Sequence, residues 1–204
     1  MDDSLKFKWP PPVARSPITV PGALVVIDGW ERSKVTSNAD ITVTDESYLT
    51  KVVIRASKGH PVAEILPVQG STNRDGGTLK VGSGPAEWYL IGHGKAESMV
   101  VDLPIDGGIG FASWVDITHG RALLRITGRR ADQLLSKLCS VDLATATTPD
   151  GSAFRTSLGA VTTDVIRDDQ AGIRSYRLHC ERSSGAYLLE VLLDAGQEFG
   201  CAAQ

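Results

Sequence analysis

The chain has 204 residues, 42% of them hydrophobic and 22% charged, with a formal net charge of −3. That length buries roughly 70% of its extended surface, enough for one large domain or two small subdomains. No apolar run approaches the ~20 residues of a membrane span, and the scattered Lys and Arg, with Arg129-Arg130 the one basic doublet, offer no face to displace counterions from nucleic acid.

The acidic start Met1-Asp-Asp-Ser4 resembles neither a secretion signal nor an Arg-rich transit peptide, so the expected compartment is the cytoplasm. Residues 1–22 hold five prolines, which exclude helix and central strand and predict an extended arm, polyproline II at Pro10-Pro11-Pro12. Phe7, Trp9, Val13 and Ile18 lie on it with no local core to enter, which leaves two readings, a disordered tail or an arm that docks on another chain.

Beyond the arm the pattern predicts strands near 41–43 and at 51–56, a short helix over 60–66, a loop over 70–77, and strands at 78–82 and 87–92. A helix over 96–101 and a glycine-rich loop at 106–110 complete a first half. The second half reads strand 115–119, strand 121–127, helix 129–139, a long loop, then strands 154–158, 160–167 and 175–181 and a helix over 184–194. Ala122, Leu124 and Ile126 alternate with Arg121, Arg125 and Thr127, the period of a strand, while Ala131, Leu134, Leu135 and Leu138 share one helix face. In the last helix only Glu190 interrupts seven apolar residues from Ala186 to Leu193, which predicts burial all round.

The halves share an order of strand, helix, two strands, helix. Val52 and Ile54 correspond to Leu124 and Ile126, and residues 88–91 to 176–180. The fold class expected is α+β, with duplicated β-α-β-β-α halves at 23–110 and 111–204 forming one compact unit through a common core.

No nucleophile elbow, P-loop, HExxH or dinucleotide fingerprint is present. Residues 106–110 and 82–84 read as turns, since neither follows a strand and opens a helix. His60, His93, His119 and His179 lack partners at ligand spacing, and His179 is expected on the outward face of its strand. Cys139, Cys180 and Cys201 read as free thiols, the middle one facing inward with Tyr176 and Leu178. No catalytic, cofactor-binding or metal-ligating residue is therefore assigned. Asp164 is the exception worth following: a carboxylate in the apolar, β-branched strand 160–167 is edge-exposed, salt-bridged or functional.

Four segments carry a family likeness: Asp116-Ile-Thr-His-Gly-Arg-Ala-Leu-Leu-Arg-Ile-Thr-Gly128, Cys139-Ser-Val-Asp-Leu143, the strand 158–166, and residues 175–195. With Gly84-Pro-Ala-Glu-Trp88 and Ala14-Arg-Ser-Pro17, in this order and spacing, they resemble the γ subunit of heterotetrameric sarcosine oxidase. The likeness runs from about residue 84 to 194 and more loosely over 51–66.

The resemblance implies the folate-binding-like fold of the glycine-cleavage aminomethyltransferase, with ferredoxin-like halves. It also implies α, β and δ partner subunits holding NAD, tetrahydrofolate, FAD, FMN and zinc, the γ chain holding none and scaffolding the large α subunit. The complex would oxidise sarcosine to glycine, giving formaldehyde or methylene-tetrahydrofolate and hydrogen peroxide. In aminomethyltransferases a Gly-Gly-x-x-Asp-Asp strand supplies the aspartate that works with folate. Asp164 could match its second Asp, while Thr163 replaces the first and Ala160 a glycine. The alternative expectation is a folate-dependent one-carbon transferase using Asp164.

Overall fold

The computed structural model describes residues 11–108 and 110–204. Phe7, Trp9 and Pro10, on which part of the arm expectation rests, lie outside the described residues. From residue 13 onward the segment is extended but packs on this chain. A short strand, β1 (Ala14–Arg15), pairs in parallel with β3 (Trp30–Ser33), and β3 pairs antiparallel with β2 (Leu24–Ile27) in a small sheet of order β1-β3-β2. Ile18 and Val20 are buried in a core shared with strands far along the chain. This corrects the expectation for Ile18, which is buried in this chain's own core, while Val13 remains exposed.

The β2–β3 turn is Asp28-Gly29 with φ of +51° and +79°, a two-residue loop whose central positions both need left-handed backbone.

The rest of the chain builds two larger sheets. In order come β4 (Ile41–Asp45), β5 (Thr50–Ala56), α1 (Val62–Ile65), β6 (Thr72–Asp75), β7 (Thr78–Gly84), β8 (Glu87–Gly92) and α2 (Ala96–Val100). Then follow β9 (Ala112–Asp116), β10 (Arg121–Gly128), α3 (Ala131–Ser136), β11 (Ala153–Leu158), β12 (Val161–Arg167), β13 (Ser175–Glu181), α4 (Gly185–Gly196) and β14 (Cys201–Ala203). The first sheet has the order β6-β7-β8-β5-β9 and the second β11-β12-β13-β10-β4-β14.

β4 and β9 each sit in the sheet built by the other half's strands: β4 pairs with β10, and β9 with β5. The two crossings use the same chemistry. Asp45 Oδ1 accepts the Ser47 N–H at 2.9 Å, and Ser47 Oγ accepts the Leu123 N–H at 3.1 Å. Asp116 Oδ1 accepts the Thr118 N–H at 2.8 Å, and Thr118 Oγ1 accepts the Lys51 N–H at 3.0 Å.

Strand alternation sets the layers. On β10, Ala122, Leu124 and Ile126 meet α3 and α4, while Leu123 joins Val53, Leu79, Tyr89 and Ile91 between the sheets. On β5, Val52 and Ile54 turn the other way and meet Val62, Leu66, Ala96 and Val100 of the α1–α2 side. The molecule is thus four layers deep, helix–sheet–sheet–helix, with cores above, between and below the sheets.

Several elements differ from expectation for local reasons. The helix over 60–66 shrinks to Val62–Ile65 because Leu66 precedes Pro67 and takes an extended ψ of 154°. The expected loop over 70–77 contains β6, whose Thr-Asn-Arg-Asp is poor in strand formers but lies on an edge. The strand expected at 115–119 lies at Ala112–Asp116, its predicted end having become the Asp116–Thr118 turn. α3 ends at Ser136, beyond which the Lys137 N–H reaches Leu134 and the Leu138 N–H reaches Leu135, a tighter i−3 turn. α4 buries one face, Leu188, Leu189, Leu192 and Ala195, and exposes Ala186 and Tyr187, correcting the reading of burial all round.

Candidate functional site

Asp164 lies on the inner face of β12, level with Arg155 on one side and His179 on the other. Its Oδ1 accepts Arg155 Nε at 2.7 Å and its Oδ2 accepts Arg121 Nη2 at 3.0 Å. Ser83 Oγ lies at 3.4 Å from Oδ1 and His179 Nδ1 at 3.7 Å from Oδ2. Arg155 Nη2 also donates to Glu87 Oε1, Tyr89 Oη and Ser83 Oγ, each at 3.1 Å. Because Ser83, Glu87 and Tyr89 belong to the first sheet, the cluster ties the sheets together. Burial pushes the Asp164 pKa up, but the neighbouring His179 and Arg155 outweigh it and hold the carboxyl below its usual range. Among the three options for this residue, the structure gives salt-bridged.

His179 is fully buried, contrary to the outward position expected for it, because the outer side of β13 is roofed by the first sheet. Its ring meets the Tyr89 edge at 4.7 Å, and its Nε2 lies 3.4 Å from Arg121 Nε. Burial lowers its pKa to about 4 against the pull of Asp164, leaving a neutral imidazole. Lys51 is equally enclosed, its Nζ donating to the Ser47 and Leu49 carbonyls at 2.7 Å each, and burial brings its pKa down to about 8.

A second buried network, unforeseen from sequence, lies along the same inter-sheet face. Glu46 accepts Arg125 Nε at 2.7 Å and Arg177 Nε at 2.6 Å, and Asp168 Oδ2 accepts both arginines at 2.7 and 2.8 Å. Arg74 of β6 reaches Asp168 from the first sheet. The sequence carried no signal for it: alternation puts Arg125 and Arg177 opposite Leu124, Ile126, Tyr176 and Leu178, on faces that become interior only because the first sheet covers them.

The remaining residues singled out in the sequence stay apart. His60 Nδ1 lies 3.3 Å from the Val62 N–H at the head of α1, His119 stacks on Trp30 at 4.9 Å, and His93 is exposed beside Gly94. Cys180 is buried, Cys139 and Cys201 half-buried, all as free thiols. Gly82 allows close backbone approach, since a Cβ there would collide with the Val68 carbonyl. Among the described residues, no three His, Cys, Asp or Glu converge as metal ligands, and no helix is long and apolar enough to cross a membrane.

Two cavities border the small sheet, in the region 18–50 where the sequence offered few elements. One of about 420 Å³ is lined by Arg15, Ile18, Arg32, Thr44, Tyr48 and Gln204 among others. The other, about 320 Å³, lies between Asp28, Trp30, Tyr48 and His93. Arg32 sits 3.6 Å above the Tyr48 ring.

The arrangement around Asp164 can fasten two sheets. It is ill suited to proton transfer or to holding a pterin, because both carboxylate oxygens accept from arginines and the neighbouring imidazole is sealed.

No protein-family model matches the sequence, and no curated protein is similar to it in sequence. Solved structures are similar in fold. Over 82% of this chain and 89% of the other, it is similar to a chain of heterotetrameric sarcosine oxidase from Corynebacterium sp. U-96, solved in complex with pyrrole 2-carboxylate, with a TM-score of 0.68 and 23% identity. It is also similar to glycine cleavage system aminomethyltransferase T from Bartonella henselae, at a TM-score of 0.66 and 14% identity, covering 89% of this chain and 55% of that one. The chain therefore spans little more than half of the aminomethyltransferase and nearly all of the oxidase chain. The α+β fold described above is the one shared by that sarcosine oxidase chain and the aminomethyltransferase.

Proposed function

We propose that this chain is the non-catalytic γ subunit of a heterotetrameric sarcosine oxidase, scaffolding its large subunit in the cytoplasm. The observation that carries the reading is the state of Asp164, in a fold similar to both an oxidase chain and an aminomethyltransferase. The one residue that the family likeness marks for folate work is clamped by Arg155 and Arg121 between two packed sheets. Folate does not fit that arrangement, so no step through it is assigned to this chain. NAD, FMN, FAD and tetrahydrofolate belong, on this reading, to the α and β partners, and zinc to δ. The matching orders of the two larger sheets further support an internal duplication with ferredoxin-like halves, 23–110 and 111–204, in one compact unit.

The test is purification of the complex with and without this chain. Loss of assembly, or of sarcosine turnover, on its removal supports the reading; a complex that assembles and turns over normally without it sinks the proposal. The competing transferase is tested by calorimetry of the isolated chain with tetrahydrofolate. Tight binding, lost in Asp164→Asn, would favour the transferase; no binding is expected.

A further inference from the structure

The layer over the outer face of the first sheet is thin. α1 has four residues and α2 five, against twelve in α4 over the second sheet. One turn of helix buries only a side chain or two, so Met99, Leu103, Ile105 and Trp114 pack on this core while remaining partly open. Ile65 and Val101 point outward, and Phe111 closes the loop between α2 and β9; Val101 is 74% exposed and Phe111 61%. The loop lies against the head of α1, where a Cβ on Gly108 would stand 3.2 Å from Pro61 Cδ, and the Phe111 carbonyl accepts the Ser57 N–H at 2.6 Å. Beside it, β9 is an edge strand of the first sheet, with one backbone ladder open among the described residues.

The rim of this surface is acidic. Glu64, Glu97, Asp102 and Asp106 are all exposed, against the ammonium groups of Lys58 and Lys95. A second copy docking by the same face would bring two rims together in which carboxylates outnumber ammonium groups, since a two-fold interface joins a patch to itself. The charge therefore selects a different partner.

We propose that the outer face of the α1–α2 layer, centred on Val101 and Phe111, docks a different polypeptide that presents an apolar patch ringed by Lys and Arg. The inference rests on the subunit reading only in taking that polypeptide to be the large α subunit. Exposed apolar groups at the centre of such a contact carry its energy, and the charged rim sets its rate and partner choice.

The experiment uses the full chain purified with its partner from the native host. A photo-crosslinking residue is placed singly at Val101, Phe111 or, on the opposite layer, Tyr187, and the crosslinked peptides are mapped. Crosslinks from Val101 and Phe111 into a Lys/Arg-rich region of another chain, with none from Tyr187, are expected. Val101→Asp and Phe111→Asp should weaken association at least about tenfold, with unchanged melting curves, and Tyr187→Asp should not weaken it. High salt should slow association several-fold. Crosslinks only from Tyr187, undiminished affinity in both Asp variants, a homodimer through this face, or a wild-type chain that purifies alone would each overturn the proposal. If the crosslinked partner is not a sarcosine oxidase subunit, the docking face stands and the oxidase reading fails. If the partner is the large α subunit but crosslinks only through Tyr187, the reverse holds.

Discussion

The two larger sheets share a plan but not a roof. Over the second, α3 and the twelve-residue α4 press Leu134, Leu135, Leu188, Leu189 and Leu192 into a core that also takes Ile18 and Val20 from the N-terminal segment. Over the first, two single-turn helices supply Val62, Leu66, Ala96 and Val100. Burial of apolar area is the main stabilising term in a fold, at about 25 cal/mol per Å², so stability is concentrated in the second half. The first half spends less on itself and leaves more apolar surface in water.

The comparison breaks most readily at the thick roof. Leu134→Asp or Leu189→Asp would bury an unpaired carboxylate, costing on the order of 4 kcal/mol or more, and soluble expression should fail. A normal melting curve for either would mean that α3 and α4 are not the second sheet's roof.

Next comes the N-terminal segment. Ile18→Ala should lower stability by about 3 kcal/mol in urea titration, the usual cost of emptying a buried isoleucine. Deleting residues 1–21 should likewise lower the melting temperature, because Ile18 and Val20 go with it. An unchanged midpoint in both would return the segment to the status of a free arm.

The space between the sheets is probed by acid. His179 titrates at about 4 in the folded chain, against 6.5 for a histidine in water, the value it regains on unfolding. Between those values the unfolded state binds a proton that the folded state refuses, so stability is full above 6.5 and falls as pH drops toward 4, by up to ~3 kcal/mol. His179→Gln should flatten that slope; a parallel pH profile for the variant would show that the imidazole is not sealed. Smallest of all, Gly29→Ala should cost about 1 kcal/mol, because the hairpin needs φ of +79° there.

What the sequence disclosed, and what it hid, follows the same division. Strand 87–92 read correctly because apolar side chains dominate it, and 175–181 because Tyr176, Leu178 and Cys180 alternate with polar residues. β6 was invisible because Asn73, Arg74 and Asp75 are held by an edge ladder rather than by burial. The β2–β3 hairpin was missed although Asp28-Gly29 between Leu24-Val-Val-Ile27 and Trp30 is a strong turn signal. Asp164 was found by its misfit in an apolar strand, but its partner Arg155 comes from the adjacent strand and Arg121 from two strands away, and only the sheet order and register bring them together. His179 was assigned to solvent because alternation reports two faces without saying that both are covered.

The exchange of β4 and β9 has a consequence for synthesis. As the chain leaves the ribosome, the first sheet remains open at β5 until residues 112–116 arrive. The second waits longer, since Cys201–Ala203 pairs with β4, laid down some 160 residues earlier. Such sequence-distant pairing slows folding and leaves unpaired edges exposed in the interval. Severed between β8 and β9, each fragment would carry an edge awaiting a strand held by the other. The two pieces should recover a native structure only when mixed.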